Sequence, residues 1–301
     1  MSTVAVLILA LTLDAVMGEP KWLWDRAPHP AVLMGRAVGW LDRTMNSQGG
    51  GIMAGAGALA ILMTGAYAMG WGLDLLGPVV EIIVVAILVA QRSLVQHVAA
   101  VADGLRVSLG DGRRAVSMIV SRDTAQMDQS GVARSSIESA AENMSDGVVA
   151  PVFWFLVGGL PALLVYKVVN TADSMIAYRT PKYEYFGKAT AYADDILNFI
   201  PARITCALIA VPAGVFNWRD IARDARQHRS PNAGWPEAAM AHAIGVALAG
   251  PRSYDGKMQE FAWVGGAGAR DIGPVQIDAA IRQLWLAWGM MVGLVIVLGL
   301  F

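Results

Sequence analysis

The sequence predicts an all-α integral membrane protein with roughly four to six membrane segments, some of them broken or re-entrant. Of the 301 residues, 55% are hydrophobic and only 16% are charged, whereas a soluble domain has about 25% charged residues. The mean hydropathy is +0.48, and several apolar runs approach the roughly 20 residues that cross a bilayer. We expect a single membrane-embedded domain over residues 1–301, with regions of soluble character at 91–147 and 217–283.

The first ninety residues contain three apolar segments. Thr3–Met17 is predicted to be a short helix, and Ile52–Met69 and Val79–Ala90 are the next apolar runs. No basic stretch precedes the apolar residues of the first segment, so we expect a retained helix rather than a cleaved signal. The Gly and Ala content of Ile52–Met69 is typical of tightly packed membrane helices. Gln48–Gly51 is predicted to be a flexible joint.

Residues 91–147 are predicted to be helical but soluble in character. The pattern predicts an amphipathic helix at Val95–Leu109, a turn at Gly110–Gly112 and a helix at Ser130–Met144 that ends at Gly147. On the last helix, Arg134, Glu138 and Glu142 are spaced four residues apart and therefore lie on one face. That face is either a ladder of solvated ion pairs or part of a functional site.

The apolar run at Val148–Val169 is interrupted in its middle by Gly158-Gly159-Leu160-Pro161. Gly and Pro at this point predict a broken helix or a re-entrant pair of half-helices. Asn170 and Asp173 follow on one helical face, at the end of the apolar run.

A polar loop is predicted at Tyr178–Ala193. Asp194 and Asp195 are then expected to begin the next helix, where carboxylates suit the positive end of the helix dipole. This helix continues into the apolar run Ile196–Phe216, which carries Arg203. We expect the nearby aspartates to be the partners of this arginine, because a charge in an apolar segment is costly without one.

The topology is predicted from the distribution of Lys and Arg. A final span is expected at Gln283–Phe301. Two re-entrant segments, at 148–169 and 196–216, would place all three polar regions of the chain on the cytoplasmic face. This arrangement agrees with the positive-inside bias of membrane proteins.

Several classes of function are disfavoured by the composition and by missing motifs. A net charge of −1 provides no field that would favour nucleic acid. The sequence has neither a Walker A nucleotide motif nor an HExxH zinc motif, its four histidines are scattered, and its one cysteine cannot form an intramolecular disulfide.

The polar residues that remain are rich in oxygen, with several arginines among them. Hard oxygen ligands select Mg²⁺, which is commonly held by one or two carboxylates together with substrate phosphates. Arginine matches phosphate or carboxylate with two hydrogen bonds. The residues alone therefore favour a site for Mg²⁺ and a phosphate or carboxylate. An ion or proton transporter is the alternative, because buried acids in broken helices are also typical of that class.

The order of the motifs resembles the adenosylcobinamide-phosphate synthase family of cobalamin biosynthesis (CobD/CbiB). The resemblance extends from Asp14 to about Tyr254. It is carried by Asp14 with Gly18-Glu19-Pro20, His29-Pro30, Ser121-Arg122-Asp123-Thr124, Arg134 with Glu138-Ser139, Glu142-Asn143, Ser145-Asp146-Gly147, Asn170-Thr171, Asp173-Ser174-Met175, Asp194-Asp195 with Asn198, Pro201-Ala202-Arg203, and Ser230 through Ala241.

The resemblance implies a multi-pass enzyme of the cell inner membrane, with an active site that faces the cytoplasm. The implied reaction joins adenosylcobyric acid to (R)-1-amino-2-propanol or its O-phosphate through an amide bond, with ATP as co-substrate and Mg²⁺ as cofactor. The corrinoid, the amine and the lipid bilayer are then the partners, together with other late cobalamin-assembly enzymes or a second copy of the chain. A related membrane sensor or regulator without ligase activity, or a transporter, remains the alternative.

The resemblance also assigns candidate roles to individual residues. The pool of acids expected in catalysis is Asp123, Glu138, Glu142, Asp173, Asp194 and Asp195. The metal ligands are expected among Asp146, Asp194 and Asp195. The residues expected to bind phosphate, carboxylate or other substrate groups are Arg122, Arg134, Asn143, Asn170, Asn198, Arg203, Asn232, Trp235 and His29.

Overall fold

The computed structural model describes residues 1–47, 49–254 and 257–300. Gln48, within the predicted joint at Gln48–Gly51, therefore lies outside the described residues. The protein is all-α and has very little sheet, as the sequence predicts. The helices in chain order are α1 (Thr3–Met17), α2 (Lys21–Trp24), α3 (Pro30–Met45), α4 (Ile52–Asp74), α5 (Pro78–Leu88), α6 (Gln91–Val107), α7 (Leu109–Val116), α8 (Gln129–Met144), α9 (Ala150–Ile176), α10 (Lys188–Ala210), α11 (Trp218–Ala225), α12 (Gly234–Ile244) and α13 (Pro274–Leu298).

Four short strands, which the sequence pattern did not predict, accompany the helices in the described part of the chain. The strands are β1 (Leu248–Ala249), β2 (Arg252–Tyr254), β3 (Lys257–Gln259) and β4 (Trp263–Val264). Strand β1 pairs antiparallel with β4, and β2 pairs antiparallel with β3.

Four helical stretches among the described residues are long and apolar enough to cross a membrane. These stretches are Ile52–Asp74, Pro78–Val107, Gln129–Ile176 and Pro274–Leu298. Their number agrees with the lower end of the predicted range. The shorter apolar helix α1 has 15 residues, which is below the roughly 20 residues of a full span.

The chain divides into two compact units. The first unit contains Met1–Ala90, Ala150–Phe199 and the last residues from Leu298, and the second contains Gln91–Val149 and Ile200–Val297. Both regions of predicted soluble character, 91–147 and 217–283, fall within the second unit.

The first unit is built around helix α9. Helices α3 and α4 pack against α9, and α1 packs against α5. Its core combines apolar residues of α3, α4 and α9 with Phe186 from the loop that follows α9. Within α9, Gly158 and Gly159 have non-helical backbone angles, and Gly159 has a φ of 62°. The predicted break in this segment is therefore confirmed.

The second unit combines helices α6, α7 and α8 with α11, α12 and the short strands. The predicted turn at Gly110–Gly112 is wrong, because these residues lie inside α7, where Ser108 caps the helix by accepting a hydrogen bond from the Asp111 N–H. The predicted helix at Ser130–Met144 is confirmed as α8, but Gly147 does not end the helical run, since it lies in a π-helical turn at Ser145–Val149.

Candidate functional site

A half-buried carboxylate, Asp194, lies at the centre of a polar network in the first unit. The Asn170 side-chain amide donates to Asp194 Oδ1 at 3.2 Å, and the Asn198 amide donates to Oδ2 at 3.0 Å. The Tyr166 hydroxyl in turn donates to Asn198 Oδ1 at 3.0 Å. Helix α9 supplies Tyr166 and Asn170, and α10 supplies Asp194 and Asn198, each pair four residues apart. The structure thus brings together three of the predicted site residues, Asn170, Asp194 and Asn198.

Burial and hydrogen bonding act in opposite directions on the pKa of Asp194. Burial raises the pKa of Asp194, and the hydrogen bonds from Asn170 and Asn198 offset only part of this effect. Burial also raises the pKa of Asp195. The expectation that these two residues begin a helix is wrong, because α10 starts at Lys188. Side-chain amides, and not the free end of a helix, therefore stabilise the Asp194 charge.

Asp195 lines a separate cavity in the first unit. The cavity has a volume of about 330 Å³. Its polar lining consists of Tyr178, Arg179, Tyr183, Glu184, Lys188, Tyr192 and Asp195. Tyrosines and cations thus surround one of the predicted acids, although no motif in the sequence pointed to a role for those neighbours.

Asp173 and His29 are the other two candidates in the first unit. Asp173 is half-buried near the end of α9. His29 caps α3, since its Nδ1 accepts a hydrogen bond from the Ala31 N–H at 3.1 Å. The His29 ring also meets the Trp24 ring edge-on, with 4.5 Å between centroids. A structural role of His29 as a helix cap is therefore established by the geometry.

In the second unit, Glu138 forms a buried ion pair. Its side chain is 3% exposed, and Arg122 donates to its Oε2 at 2.7 Å. The backbone N–H of Ala249 donates to the other oxygen, Oε1, at 2.7 Å. The alternative of a solvated ladder of ion pairs is therefore wrong for Glu138. Ala249 has a φ of 58°, a left-handed conformation that is uncommon for a residue other than Gly.

The Arg122–Glu138 pair faces a cavity of about 440 Å³. The charged side chains that line the cavity are Arg122, Asp123, Asp128, Arg134 and Glu138. Asp123 is exposed, and its Oδ1 accepts a hydrogen bond from the Ala125 N–H at 2.9 Å. The structure thus gathers four predicted site residues, Arg122, Asp123, Arg134 and Glu138, at one cavity.

Arg134 is oriented by groups other than Glu138. Its Nη1 donates to the Arg270 carbonyl at 3.1 Å, and its guanidinium lies 5.3 Å from the centre of the Trp263 ring. These contacts hold one arginine of the cavity in place without neutralising its charge.

Three predicted binding residues meet at the start of α12. Arg203 donates to Asn232 Oδ1 at 3.1 Å and to the Pro231 carbonyl at 3.3 Å. Its guanidinium also lies over the Trp235 ring at 4.9 Å. The contacts described for Arg203 are thus with this loop, and the expected pairing with an aspartate stays a prediction.

The remaining candidates are more dispersed. Glu142 and Asn143 are exposed on α8, where the Asn143 amide donates to the Ser139 carbonyl at 2.9 Å. Asp146 is half-buried in the π-helical turn. Within the ranges that the structure describes, no three His, Cys, Asp or Glu side chains come together in a way that could hold a metal ion.

A carboxylate–histidine pair in the second unit was not predicted from the sequence. Asp224 is 4% exposed; its Oδ2 lies 3.0 Å from His242 Nε2 and accepts the Gly265 N–H at 2.9 Å. A cavity of about 380 Å³ lies beside this pair, next to the glycine-rich segment 265–268. Asp224 and His242 are 18 residues apart, so no local spacing could have indicated the contact.

Comparison with known proteins identifies a family over most of the chain. The family model described as CobD/Cbib protein matches residues 7–284. Cobalamin biosynthesis protein CobD of Brucella suis biovar 1 (strain 1330) is 45% identical, and the alignment covers 98% of each chain. Cobalamin biosynthesis protein CobD of Sinorhizobium fredii (strain NBRC 101917 / NGR234) is 47% identical over 94% of this chain and 92% of that protein. No solved structure matches the chain significantly. The chain belongs to the CobD/CbiB family.

Proposed function

We propose that this protein acts in cobalamin biosynthesis and joins adenosylcobyric acid to (R)-1-amino-2-propanol or its O-phosphate through an ATP-dependent amide bond. The product is adenosylcobinamide or its phosphate. Family membership over residues 7–284 supports the pathway, as do relatives named cobalamin biosynthesis protein CobD. The observation that carries the proposed reaction is the cavity in which Arg122, Arg134 and the buried Glu138 meet.

The proposed chemistry activates a carboxylate before an amine attacks it. A carboxylate oxygen of the corrinoid attacks the γ-phosphorus of ATP, which gives an acyl phosphate and ADP. The amine nitrogen then attacks the acyl carbon, the C–O bond to phosphate breaks, and a proton leaves the nitrogen. A general base that keeps the amine neutral typically contributes about 10²–10⁴-fold to such a step.

Arg122 and Arg134 are proposed to bind the anionic group of a substrate. The cavity of about 440 Å³ is within the range of small-molecule sites, so a phosphate or a propionate side chain fits in it. Glu138 orients Arg122, and Trp263 orients Arg134. Arginines held in advance in this way can stabilise charge as it develops on phosphate.

Asp194 and Asp195 are proposed to contribute to Mg²⁺ binding or to act as the base. Mg²⁺ in nucleotide sites is usually bound by one or two carboxylates plus substrate phosphates and waters, so a cluster of three protein ligands is not required. The metal would neutralise phosphate charge during transfer. Asp146, in the π-helical turn, is a separate candidate for a metal ligand. Asp123, Glu142 and Asp173 remain in the pool of proposed bases.

The other candidate residues are proposed to orient the substrates. Asn170 and Asn198 hold the Asp194 carboxylate, and Asn143 is exposed on α8. Arg203, Asn232 and Trp235 form one cluster with a cation and an aromatic face, which suits the amide-bearing edge of a corrinoid. His29 is proposed to contact the corrinoid from its position as the cap of α3.

Growth of a bacterial strain that lacks this step tests the proposed function. The strain carries the gene on a plasmid and receives cobyric acid in one medium and cobinamide in another. We expect the gene to restore growth on cobyric acid, whereas growth on cobinamide should not depend on it. Failure of a membrane-inserted protein to restore growth on cobyric acid would overturn the ligase function in favour of a regulator or a transporter.

Membranes from the same strain then test the chemistry. The assay supplies adenosylcobyric acid, Mg²⁺-ATP, and either aminopropanol or its O-phosphate, and follows the corrinoid product by mass spectrometry. We expect one ADP for each amide formed and a preference for one of the two amines. Amide formation without ATP consumption would contradict the acyl phosphate route. Arg122→Ala should lower turnover, and Arg114→Ala, on the surface of the same unit, is the matched control.

A further inference from the structure

The cavity beside Asp195 in the first unit, called here the tyrosine cavity, has a lining that suits a nucleotide. It is defined by Tyr178, Arg179, Tyr183, Glu184, Lys188, Tyr192 and Asp195, and its volume is about 330 Å³. This volume is within the range of small-molecule sites. A purine nucleotide bound with Mg²⁺ requires cations for its phosphates, a carboxylate for the metal and an aromatic face for its base. The cavity offers all three.

The two cations of the cavity are available to a ligand. In the part of the chain that the structure describes, neither Arg179 nor Lys188 forms an ion pair or a side-chain hydrogen bond. Arginine and lysine are the usual phosphate ligands. An incoming phosphate would therefore not have to displace an existing partner among the described residues.

The aromatic residues of the cavity present accessible surfaces. Tyr178 is 48% exposed and Tyr192 is 61% exposed, although tyrosine usually buries most of its ring. An exposed aromatic face stacks on a nucleobase, which contributes about 1–3 kcal/mol per base in nucleic-acid sites. The two tyrosines can therefore stack on a base while the cations bind its phosphates.

The loop that carries these residues is fixed by contacts on its far side. The Tyr183 hydroxyl donates to Asp42 Oδ2 at 3.2 Å, and Lys182 Nζ donates to the same oxygen at 2.6 Å. Phe186 is fully buried, and α4 approaches it so closely that a Cβ on Gly55 would lie 1.9 Å from the Phe186 carbonyl oxygen. Tyr183 is thus a positioning residue, and the loop needs little ordering when a ligand binds.

From this arrangement we infer that the tyrosine cavity binds Mg²⁺-ATP, with Arg179 and Lys188 on the phosphates, Asp195 on the metal, and Tyr178 or Tyr192 against the adenine. The identity of the nucleotide rests on the proposed function. The carboxylates of the cavity, Asp195 and Glu184, make a bare anion a poor ligand. A phosphate that carries Mg²⁺ satisfies both the cations and the acids.

The phosphate of an anionic lipid is a second source of the same chemistry. Tyr, Lys and Arg are enriched at membrane interfaces, and basic residues there attract anionic headgroups. A cavity with a half-buried carboxylate and two exposed tyrosines favours the nucleotide, but the experiment has to separate the two phosphates.

Equilibrium binding of ATP to the full-length protein in phosphatidylcholine nanodiscs tests the inference. The measurement uses excess Mg²⁺ and no corrinoid, so it is independent of amide formation. We expect Arg179→Ala and Lys188→Ala each to weaken ATP binding by about tenfold or more, and Asp195→Asn to remove the Mg²⁺ dependence. Tyr178→Ala should weaken the binding of ATP more than the binding of inorganic triphosphate.

Matched controls come from the same unit. Tyr185 is in the same loop and is 62% exposed, but it does not line the cavity. Arg36 is an exposed arginine of α3. Tyr185→Ala and Arg36→Ala should keep ATP affinity within about twofold of the wild type. Thermal melting of every variant shows whether a loss of binding reflects a loss of the fold.

Each outcome separates this inference from the proposed function. Wild-type ATP affinity in the folded Arg179→Ala and Lys188→Ala variants would overturn the inference. Loss of ATP binding by the wild type in nanodiscs that contain phosphatidylglycerol would also overturn the inference, because the cavity would then bind the headgroup of an anionic lipid. ATP binding that depends on these residues, without any amide product from complete substrates, would support the inference and overturn the ligase function.

Discussion

At the residue scale, the network around Asp194 predicts that Asp194→Asn lowers activity strongly, although the two side chains have nearly the same size. The Tyr166 hydroxyl fixes the Asn198 amide so that its Nδ2 donates to Asp194, and the Asn170 amide donates to the other oxygen. In Asp194→Asn, one carboxylate oxygen becomes an NH₂ group, which cannot accept the hydrogen bond from Asn170 or Asn198. We expect turnover in the proposed reaction to fall by about 10²-fold or more, as for the loss of a general base.

The measurement for Asp194→Asn is amide formation in membranes with equal amounts of folded protein. Asp25→Asn is the control, because Asp25 is an exposed aspartate of the same unit. Full activity in Asp194→Asn would remove Asp194 from both the catalytic and the metal-binding roles.

A second residue-scale prediction concerns the pH dependence of stability at Asp42. Burial alone would raise the pKa of Asp42, but hydrogen bonds from Lys182, Asn46 and Tyr183 outweigh burial and hold the pKa below its usual range. A depressed pKa stabilises the fold above the unfolded value of about 3.9, and this stability is lost as the pH falls through the lower folded value.

We therefore expect Asp42→Asn to lower the melting temperature by about 2–4 °C at pH 7, the shift that about 1 kcal/mol causes in a protein of 150–250 residues. The difference from the wild type should begin to shrink as the pH falls below about 4, where Asp42 becomes protonated in the unfolded chain, and should disappear below the lower pKa of the folded protein. Melting in detergent across this pH range is the measurement. A difference that stays constant with pH would mean that the Asp42 charge does not hold the loop.

At the element scale, the kink in α9 depends on a close approach by α4. A Cβ built on Gly70 would lie 2.5 Å from the Pro161 Cα, a backbone atom that cannot easily move. A Cβ on Gly72, on the same helix, would meet no neighbouring atom of the described residues within 4 Å. We expect Gly70→Ala to destabilise the protein by about 1–3 kcal/mol, and Gly72→Ala to be neutral or slightly stabilising because Ala favours helix.

Thermal melting of the two variants in the same detergent tests this prediction. Equal effects of Gly70→Ala and Gly72→Ala would show that α4 and the kink of α9 are not in tight contact.

The two kinds of glycine in this chain explain why some elements could be predicted and others could not. Gly158-Gly159 precedes Pro161 inside an apolar run, and Gly159 has a positive φ, so the local pattern was enough to predict a break. Gly112 lies inside α7, where a Cβ would come within 2.3 Å of Leu105 Cδ2. A glycine required by packing between two helices has the same local pattern as a glycine in a turn, and the turn prediction was wrong for that reason.

The same limit applies to the candidate site. Helical periodicity pairs Asp194 with Asn198, because both residues lie on one helix. Periodicity carries no information about the approach of Asn170 from another helix, nor about the contact of Ala249 with Glu138 across 111 residues. The sequence could therefore nominate the acids as candidates, whereas their contacts with distant residues required the fold.

At the scale of the whole molecule, the distribution of charge predicts which parts of the chain face the cytoplasm. The two segments at 148–169 and 196–216 are predicted to be re-entrant, so that the loop after α9 and the arginine-rich segment at 219–229 lie on the same side. The protein's one cysteine, Cys206, is 2% exposed, so it should remain unlabelled in the folded protein. Single cysteines introduced on the surface therefore report the topology directly.

We expect Tyr185→Cys and Arg226→Cys to react with a membrane-impermeant thiol reagent only after the inner membrane is opened. Both native residues are exposed, and Tyr185 is preferable to Lys182, which pairs with Asp42. Leu76→Cys, in the turn between α4 and α5, should react in spheroplasts and is the control for the opposite face. If Tyr185→Cys reacts in spheroplasts and Arg226→Cys does not, the loop after α9 lies outside the cytoplasm. Cytoplasmic ATP could then not reach the tyrosine cavity, so this one experiment constrains the topology and the nucleotide site together.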